Sequence, residues 1–169
     1  MRWLRKAQWV LSIDADALLS GMAPLDIAAL TGGGADIDYV FARDGNGINS
    51  GVALFRSSPR TFAFLREAYA KLHYLNHPWW EQAAFMQLLD MPAYAQHLRV
   101  AQQRDLNSYP PGLLGPEGWW QRGDLIIHWP GTKGADFSRQ IEGRGVPDAA
   151  PHCSRGEETS VWRGWERQK

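Results

Sequence analysis

Asp14-Ala15-Asp16 is the first group along the chain whose residue types suit a reaction. On an extended segment, carboxylates at i and i+2 turn to one side, where they can share a divalent cation. The spacing recurs at Asp36-Ile37-Asp38, so context has to separate the two copies. The first follows the apolar run Trp9 to Ile13, while the second opens a strand-like segment just after Gly32 to Gly34. His128, at the end of the run Leu125-Ile126-Ile127, could add an imidazole. Two carboxylates and one imidazole, with positions left open, suit Mn²⁺ better than an all-oxygen Ca²⁺ cage or a thiolate zinc site. Gly131 and Lys133 would then supply a backbone turn and a cation for a phosphate. The plainer readings are solvated loop acids, a hydrogen-bonded structural histidine and a surface lysine.

These residues need elements to hold them. Trp9 to Ile13 is apolar and partly β-branched and ends abruptly in acid, which predicts a buried strand with the carboxylates at its tip. Pro24 to Leu30 reads as a short helix closed by Thr31 and three glycines. Ile37, Tyr39 and Phe41 alternate along a second strand, Arg43 to Gly47 forms a turn-rich loop, and Gly51 to Arg56 forms a third strand. Ser58-Pro59 starts a helix in which Phe62, Leu65, Tyr69 and Leu72 recur at helical spacing, predicting a core face up to about Leu75. Asn76-His77-Pro78 separates it from a second helix, Trp79 to Asp90, with Gln82 in its first turns. Leu98 to Ala101 and Leu125 to His128 are further strands. Strands mixed with helices indicate an α/β or α+β domain, here a single catalytic region over residues 1–135 followed by a loosely structured tail, 136–169.

Composition narrows the function. The 169 residues carry 18 Lys+Arg and 18 Asp+Glu, so no global field draws in nucleic acid or acidic lipid, and any anion needs a local site. The lone cysteine, Cys153, excludes an intrachain disulfide scaffold. Asp14 and Asp16 interrupt the N-terminal apolar run as no signal peptide would, and no apolar stretch of about 20 residues is present to span a bilayer. A soluble chain is expected.

The order of segments resembles one family. Asp14-Ala15-Asp16-Ala17 after a strand, then Arg43-Asp44-Gly45-Asn46-Gly47-Ile48-Asn49-Ser50-Gly51-Val52 with Arg56, is similar to the galactosyltransferase and mannosyltransferase family of fungal Golgi enzymes, which also contains plant xyloglucan xylosyltransferases. Trp80-Glu81-Gln82-Ala83-Ala84 resembles that family's acid-Gln-x-Ala helix. Gln103 to Pro110 resembles its Asn-Ser-Tyr loop, and Gly123 to Gly131 its closing Gly-Asp-x-x-x-His segment. Five blocks in order, from Trp9 to Lys133, are far more specific than any one of them.

The resemblance implies a GT-A fold, an α/β architecture with a mixed sheet flanked by helices. It implies a retaining transfer of a hexosyl or pentosyl group from a UDP- or GDP-linked donor to an oligo- or polysaccharide acceptor. Asp14, Asp16 and His128 match its metal ligands, with Mn²⁺ or a similar ion as cofactor. Asn49 matches a residue near the donor sugar, Gln82 the side chain facing the anomeric carbon, and Lys133, at a spacing one residue shorter, a lysine on the diphosphate. Asn107 has no settled role. Since Gln82 is a poor nucleophile, a front-face mechanism is favoured, with Glu81 as nucleophile the alternative. The resemblance also implies a Golgi membrane, a cytoplasmic bacterial enzyme being the other setting.

Only 13 residues precede Asp14, so the nucleotide-binding strands and the membrane anchor of such enzymes are expected to be missing. Trp79-Trp80 and Trp119-Trp120 could stack on sugar rings, with Trp80 expected in the core. A noncatalytic carbohydrate-binding protein and a metal-dependent phosphoesterase are the competing functions.

Overall fold

A computed structural model describes residues 2–20 and 24–132. Lys133, Cys153 and the expected tail lie outside the described residues. The strands are Trp9–Ile13 (β1), Ala17–Leu19 (β2), Tyr39–Asp44 (β3), Gly47–Arg56 (β4), Leu98–Ala101 (β5) and Ile126–His128 (β6). The α-helices are Ile27–Thr31 (α1), Pro59–Ala70 (α2), Trp80–Leu89 (α3), Pro92–Ala95 (α4) and Gln103–Leu106 (α5). A four-stranded mixed sheet runs β1-β4-β3-β5, antiparallel except for the β3–β5 pair, and β2 with β6 forms a separate antiparallel ribbon.

The sheet has a core on each face, and the period of two in β3 and β4 divides side chains between them. Tyr39, Phe41, Ala53 and Phe55 pack with Phe64 of α2 and Leu88 of α3 on one side. Val40, Ala42, Val52 and Leu54 pack with Leu30, Leu106 and Ile126 on the other. With both faces covered, β3 carries four consecutive buried residues, Tyr39 to Ala42, instead of one buried face. β1 pairs only with β4 among the described strands and grows more exposed toward Ile13, so it is an edge strand and not the buried strand its apolar run predicts. Asp36-Ile37-Asp38 is not a second metal site: Asp38 is fully buried and paired with Arg60 Nε at 2.6 Å.

Two helix expectations need correcting. Ser58 caps α2, its hydroxyl accepting from Thr61 N–H at 3.1 Å, and Pro59 occupies the first turn as read. Phe62 and Leu65 pack partly buried against the core as read, but the fully buried positions are Thr61 and Phe64, and the stripe fails at its C-terminal end, where Tyr69 is 87% exposed, as is much of Leu72. Spacing alone favours the stripe through Phe62, yet the deepest position, Phe64, is set by partners distant in sequence. The Phe64 ring lies 4.6 Å from Tyr39 and 5.1 Å from Phe85. α2 then stops at Ala70, and Leu72–Tyr74 forms a 3-10 turn that breaks the predicted phase. Trp80 is 60% exposed and is not a core residue, because it opens α3 with φ 38°, a backbone turn that carries its ring out of the helix's buried stripe.

Candidate active site

Strand register gathers the site. β1 ends with Ile13 opposite Val52, so the next amide, Asp14 N–H, donates to Gly51 O at 2.7 Å. Asp14-Ala15-Asp16-Ala17 then folds as a tight turn, closed by Ala17 N–H on Asp14 O at 3.1 Å. The two carboxylates therefore meet across a turn and not along an extended strand. Ala17 pairs with His128, and Trp129 N–H donates to Asp16 O at 2.9 Å, which sets Asp16 against the imidazole. β4 contributes an irregularity: Phe41 pairs with Ala53, but Ala42 pairs with Asn49. Ser50, Gly51 and Val52 are thereby left out of the β3 ladder, and such bulges re-aim side chains beside sites.

One ligand atom from each of Asp14, Asp16 and His128 lies within 4.8 Å of the other two. Ligands on an ion at ~2.1 Å stand ~3 Å apart when adjacent and ~4.2 Å when opposite, so small rotations close the shell. His128 is buried, and its Nδ1 donates to Asn107 Oδ1 at 2.9 Å. Its Nε2 lies 3.2 Å from Asp16 Oδ1 and has no hydrogen-bond partner. Burial holds the imidazole pKa below its ordinary value, outweighing the pull of the Asp16 carboxylate. A neutral imidazole with its proton on Nδ1 turns an Nε2 lone pair toward a carboxylate, an arrangement that a cation between them relieves. The donor set thus fits a divalent ion of mixed oxygen and nitrogen preference. The Asp14 carboxyl is pushed up to about 6, by burial first and then by Asp16 and Glu81, as expected for crowded acids with no positive charge beside them.

Asp14 and His128 border a cleft of ≈ 470 Å³ that also takes in Asn49, Ser50, Gly51, Glu81 and Gln82, a size typical of small-ligand sites. Gln82 Oε1 accepts from Ser50 N–H at 3.1 Å, which leaves its amide N–H₂ as the group able to donate. Glu81 Oε1 accepts from the Ser50 hydroxyl at 2.8 Å. Asn49 is buried, and its Nδ2 donates to Tyr109 Oη at 2.9 Å and to Asp44 Oδ2 at 3.1 Å. The Tyr109 hydroxyl donates to the same Asp44 oxygen at 2.5 Å and stays protonated, its pKa raised by burial and then by that bond.

Six of the residues singled out from sequence, Asp14, Asp16, Asn49, Glu81, Gln82 and His128, therefore converge, as does the pair Trp79-Trp80. Trp120 does not: it is buried, with Nε1 donating to Ser20 Oγ at 2.7 Å, and Trp119 Nε1 donates to Leu113 O at 3.1 Å. Asp44 and Tyr109 were not singled out, although both fall within the quoted motifs. Their signal was only a polar residue in a turn and an aromatic in a loop. A supporting pair lies behind β6, where Arg104 grips Asp124 through two bonds of 2.8 and 3.1 Å while Ser108 Oγ donates to Asp124 at 2.9 Å.

Known proteins share this arrangement of segments. The fold matches a glycosyltransferase involved in the glycosylation of the major capsid of PBCV-1, with a TM-score of 0.66 and 18% identity over 84% of this chain and 69% of that one. Over 97 residues the chain is 34% identical to "Probable alpha-1,2-galactosyltransferase gmh2" of Schizosaccharomyces pombe, covering 54% of this chain and 27% of the relative's length. Residues 28–136 match a family model across most of the described fold, and the chain belongs to the galactosyl transferase GMA12/MNN10 family.

Proposed function

We propose that this chain forms the metal-holding and sugar-facing part of a retaining glycosyltransferase. The reaction moves a hexosyl or pentosyl group from a UDP- or GDP-linked donor to a glycan acceptor, with Mn²⁺ as the first candidate ion. The observation that carries this reading is the lone pair of His128 Nε2, buried and facing Asp16, with Asp14 close enough to complete three ligands. Asp14, Asp16 and His128 would hold the ion, which when bound acts as a Lewis acid on the departing diphosphate.

The chain's own groups account for the rest. Asn49, fixed by Asp44 and Tyr109, offers a rigid polar contact for the donor sugar. Gln82 has its carbonyl oxygen engaged by Ser50 N–H, so it meets the anomeric region as an amide donor and not as a nucleophile. That favours a front-face course, in which the acceptor hydroxyl enters on the side from which the phosphate leaves. Glu81 is the residue that a double displacement would use, but it is exposed and bonded to Ser50 Oγ. Among the described residues no helix is long and apolar enough to cross a membrane. The family relationship supports a Golgi setting.

The test is nucleoside diphosphate release from UDP-galactose and from GDP-mannose, with and without Mn²⁺. Turnover is expected only with the ion, with at least a hundredfold loss in Asp16→Asn and a product of retained anomeric configuration by NMR. Turnover persisting in EDTA, or an inverted product, discards the proposal.

A further inference from the structure

The cleft has an apolar wall that the metal corner does not explain. Trp79, Trp80 and Leu114 are 43%, 60% and 46% exposed, and all three border the cleft along with Pro78 and Leu113. Large side chains left bare beside a polar site are characteristic of binding surfaces. Among the described residues, Trp80 (φ 38°) and Leu114 (φ 54°) are the only non-glycines in the left-handed region, and both fall on this wall. Backbone held in that region disfavours folding and concentrates at ligand clamps. The ring positions are also supported: His77 Nδ1 accepts from Trp79 N–H at 3.1 Å, and the His77 and Trp79 rings stand edge to face at 5.8 Å.

The charge of the lining restricts what the wall accepts. Asp14, Asp44 and Glu81 border the cleft, whereas no Lys or Arg does among the described residues. With the proposed ion committed to the donor diphosphate, Asp44 and Glu81 still repel an anionic acceptor, and no Lys or Arg among the described lining residues offsets them. Trp80 directly precedes Glu81 and Gln82 in α3, so one helical turn sets both the exposed ring and the amide that faces the cleft.

We propose that Trp80, with Trp79 and Leu114, is the acceptor platform, on which the C–H face of a neutral pyranose stacks while its hydroxyls meet the polar wall. This rests on the glycosyltransferase reading for the ligand's role, though not for its chemistry. A donor nucleobase could use the same ring, and the experiment separates the two.

Saturation-transfer NMR is run on the whole chain with three neutral probes, mannohexaose, cellohexaose and a galacto-oligosaccharide, and with a chondroitin sulfate hexasaccharide as the anionic one. Mn²⁺-dependent binding of UDP and GDP is titrated on the same samples. At least one neutral probe should receive saturation at its ring C–H protons, and the sulfated one should not. Trp80→Ala should weaken neutral-glycan binding at least tenfold, with Trp80→Phe within about threefold of the parent, and both variants should keep the parent unfolding midpoint. No neutral binding, equal binding by Trp80→Ala, or preference for the sulfated probe overturns the platform. A tenfold loss of nucleotide affinity in Trp80→Ala, with glycan binding intact, assigns the ring to the base and likewise overturns it. Glycan binding that depends on Trp80 without any Mn²⁺-dependent nucleotide binding leaves the platform standing and removes the transferase reading.

Discussion

His128 Nδ1 lies 2.9 Å from Asn107 Oδ1, and the direction of that bond is set by a backbone amide on another strand. Gly51 N–H can only donate, so the Asn49 atom 2.9 Å from it is the carbonyl oxygen. The Asn49 amide nitrogen then faces Asp44 and Tyr109. Asn107 Nδ2 donates to the same Asn49 oxygen at 2.9 Å, which turns the Asn107 oxygen toward the imidazole. An acceptor at Nδ1 requires the proton there and leaves Nε2 bare toward Asp16. The network thereby presents the bare Nε2 that the proposed ion would need.

Loss of that orientation should weaken the metal site without emptying it. Asn107→Leu is expected to lower Mn²⁺ affinity by about 10- to 100-fold, the usual effect of removing a histidine's supporting partner. Asn107→Asp keeps an acceptor on Nδ1 but exchanges the donor to Asn49 Oδ1 for an oxygen, so its affinity should fall between those of Asn107→Leu and the parent, measured by electron paramagnetic resonance of free Mn²⁺. In the metal-free protein, ¹⁵N imidazole shifts should report the Nδ1–H tautomer for His128. An Nε2–H tautomer contradicts the assigned polarity.

Asp14, pushed up to about 6, would make binding of the proposed ion sensitive to mild acid. The cation competes with its proton, so Mn²⁺ affinity should fall by about tenfold per pH unit below pH 6 and level off above it. The metal-free fold responds in the opposite sense. The folded state binds this proton more tightly than the unfolded chain does, so the stability contributed by Asp14 rises as pH falls from about 6 toward an aspartate's ordinary 3.8. Unfolding midpoints in EDTA over that window should show the trend, and Asp14→Asn should flatten it. A midpoint for Asp14→Asn at pH 7 below that of the parent contradicts the crowding of acids.

Gly51 is a glycine because of its neighbours and not because of its backbone angles. A Cβ there would overlap Cε1 of His128 and lie 2.9 Å from its Nε2 and 3.0 Å from Asp14 Oδ2. The imidazole is buried and anchored by Asn107, so it cannot swing away as a flexible chain end would. Gly51→Ala should cost about 1–3 kcal/mol of stability, the usual range for overpacking, and displace two ligands at once. The check is a lowered denaturation midpoint together with loss of Mn²⁺ binding.

How much of this was legible follows from what is local. β1 and β5 were readable to the residue, because Trp9–Ile13 is a mostly apolar run with an abrupt end and Leu98–Ala101 is a short segment in which Arg99 interrupts apolar residues. Ser58-Pro59 marked the start of α2 for the same local reason. The short β2 was invisible, since Ala17–Leu19 has no period to detect and owes its existence to Ile126–His128 more than 100 residues later. The acid pair was visible as a spacing, yet the turn that joins its members depends on that same distant pairing. Asp44 and Tyr109 were hidden for a related reason: each is unremarkable until the hairpin and the 107–109 loop bring them to 2.5 Å. Trp80 was misjudged because side-chain chemistry favours burial, whereas its backbone turn decides exposure.

The phase of α2 offers a direct stability test. Phe64 is fully buried against Tyr39, Phe85 and Tyr94, with ring centroids 4.6, 5.1 and 5.4 Å away. Tyr69, on the stripe that sequence spacing favoured, is 87% exposed. Phe64→Ala should therefore destabilise by about 3–5 kcal/mol, a typical loss for a buried aromatic. Tyr69→Ala should stay within about 0.5 kcal/mol, as surface substitutions do. Urea denaturation measures both, and the contrast between them is what decides. Comparable losses at the two positions would restore the stripe through Phe62 and Tyr69 and rotate the helix by one residue, about 100°. That rotation would also move the ring that buttresses Phe85, and with it the helix on which Glu81 and Gln82 face the cleft.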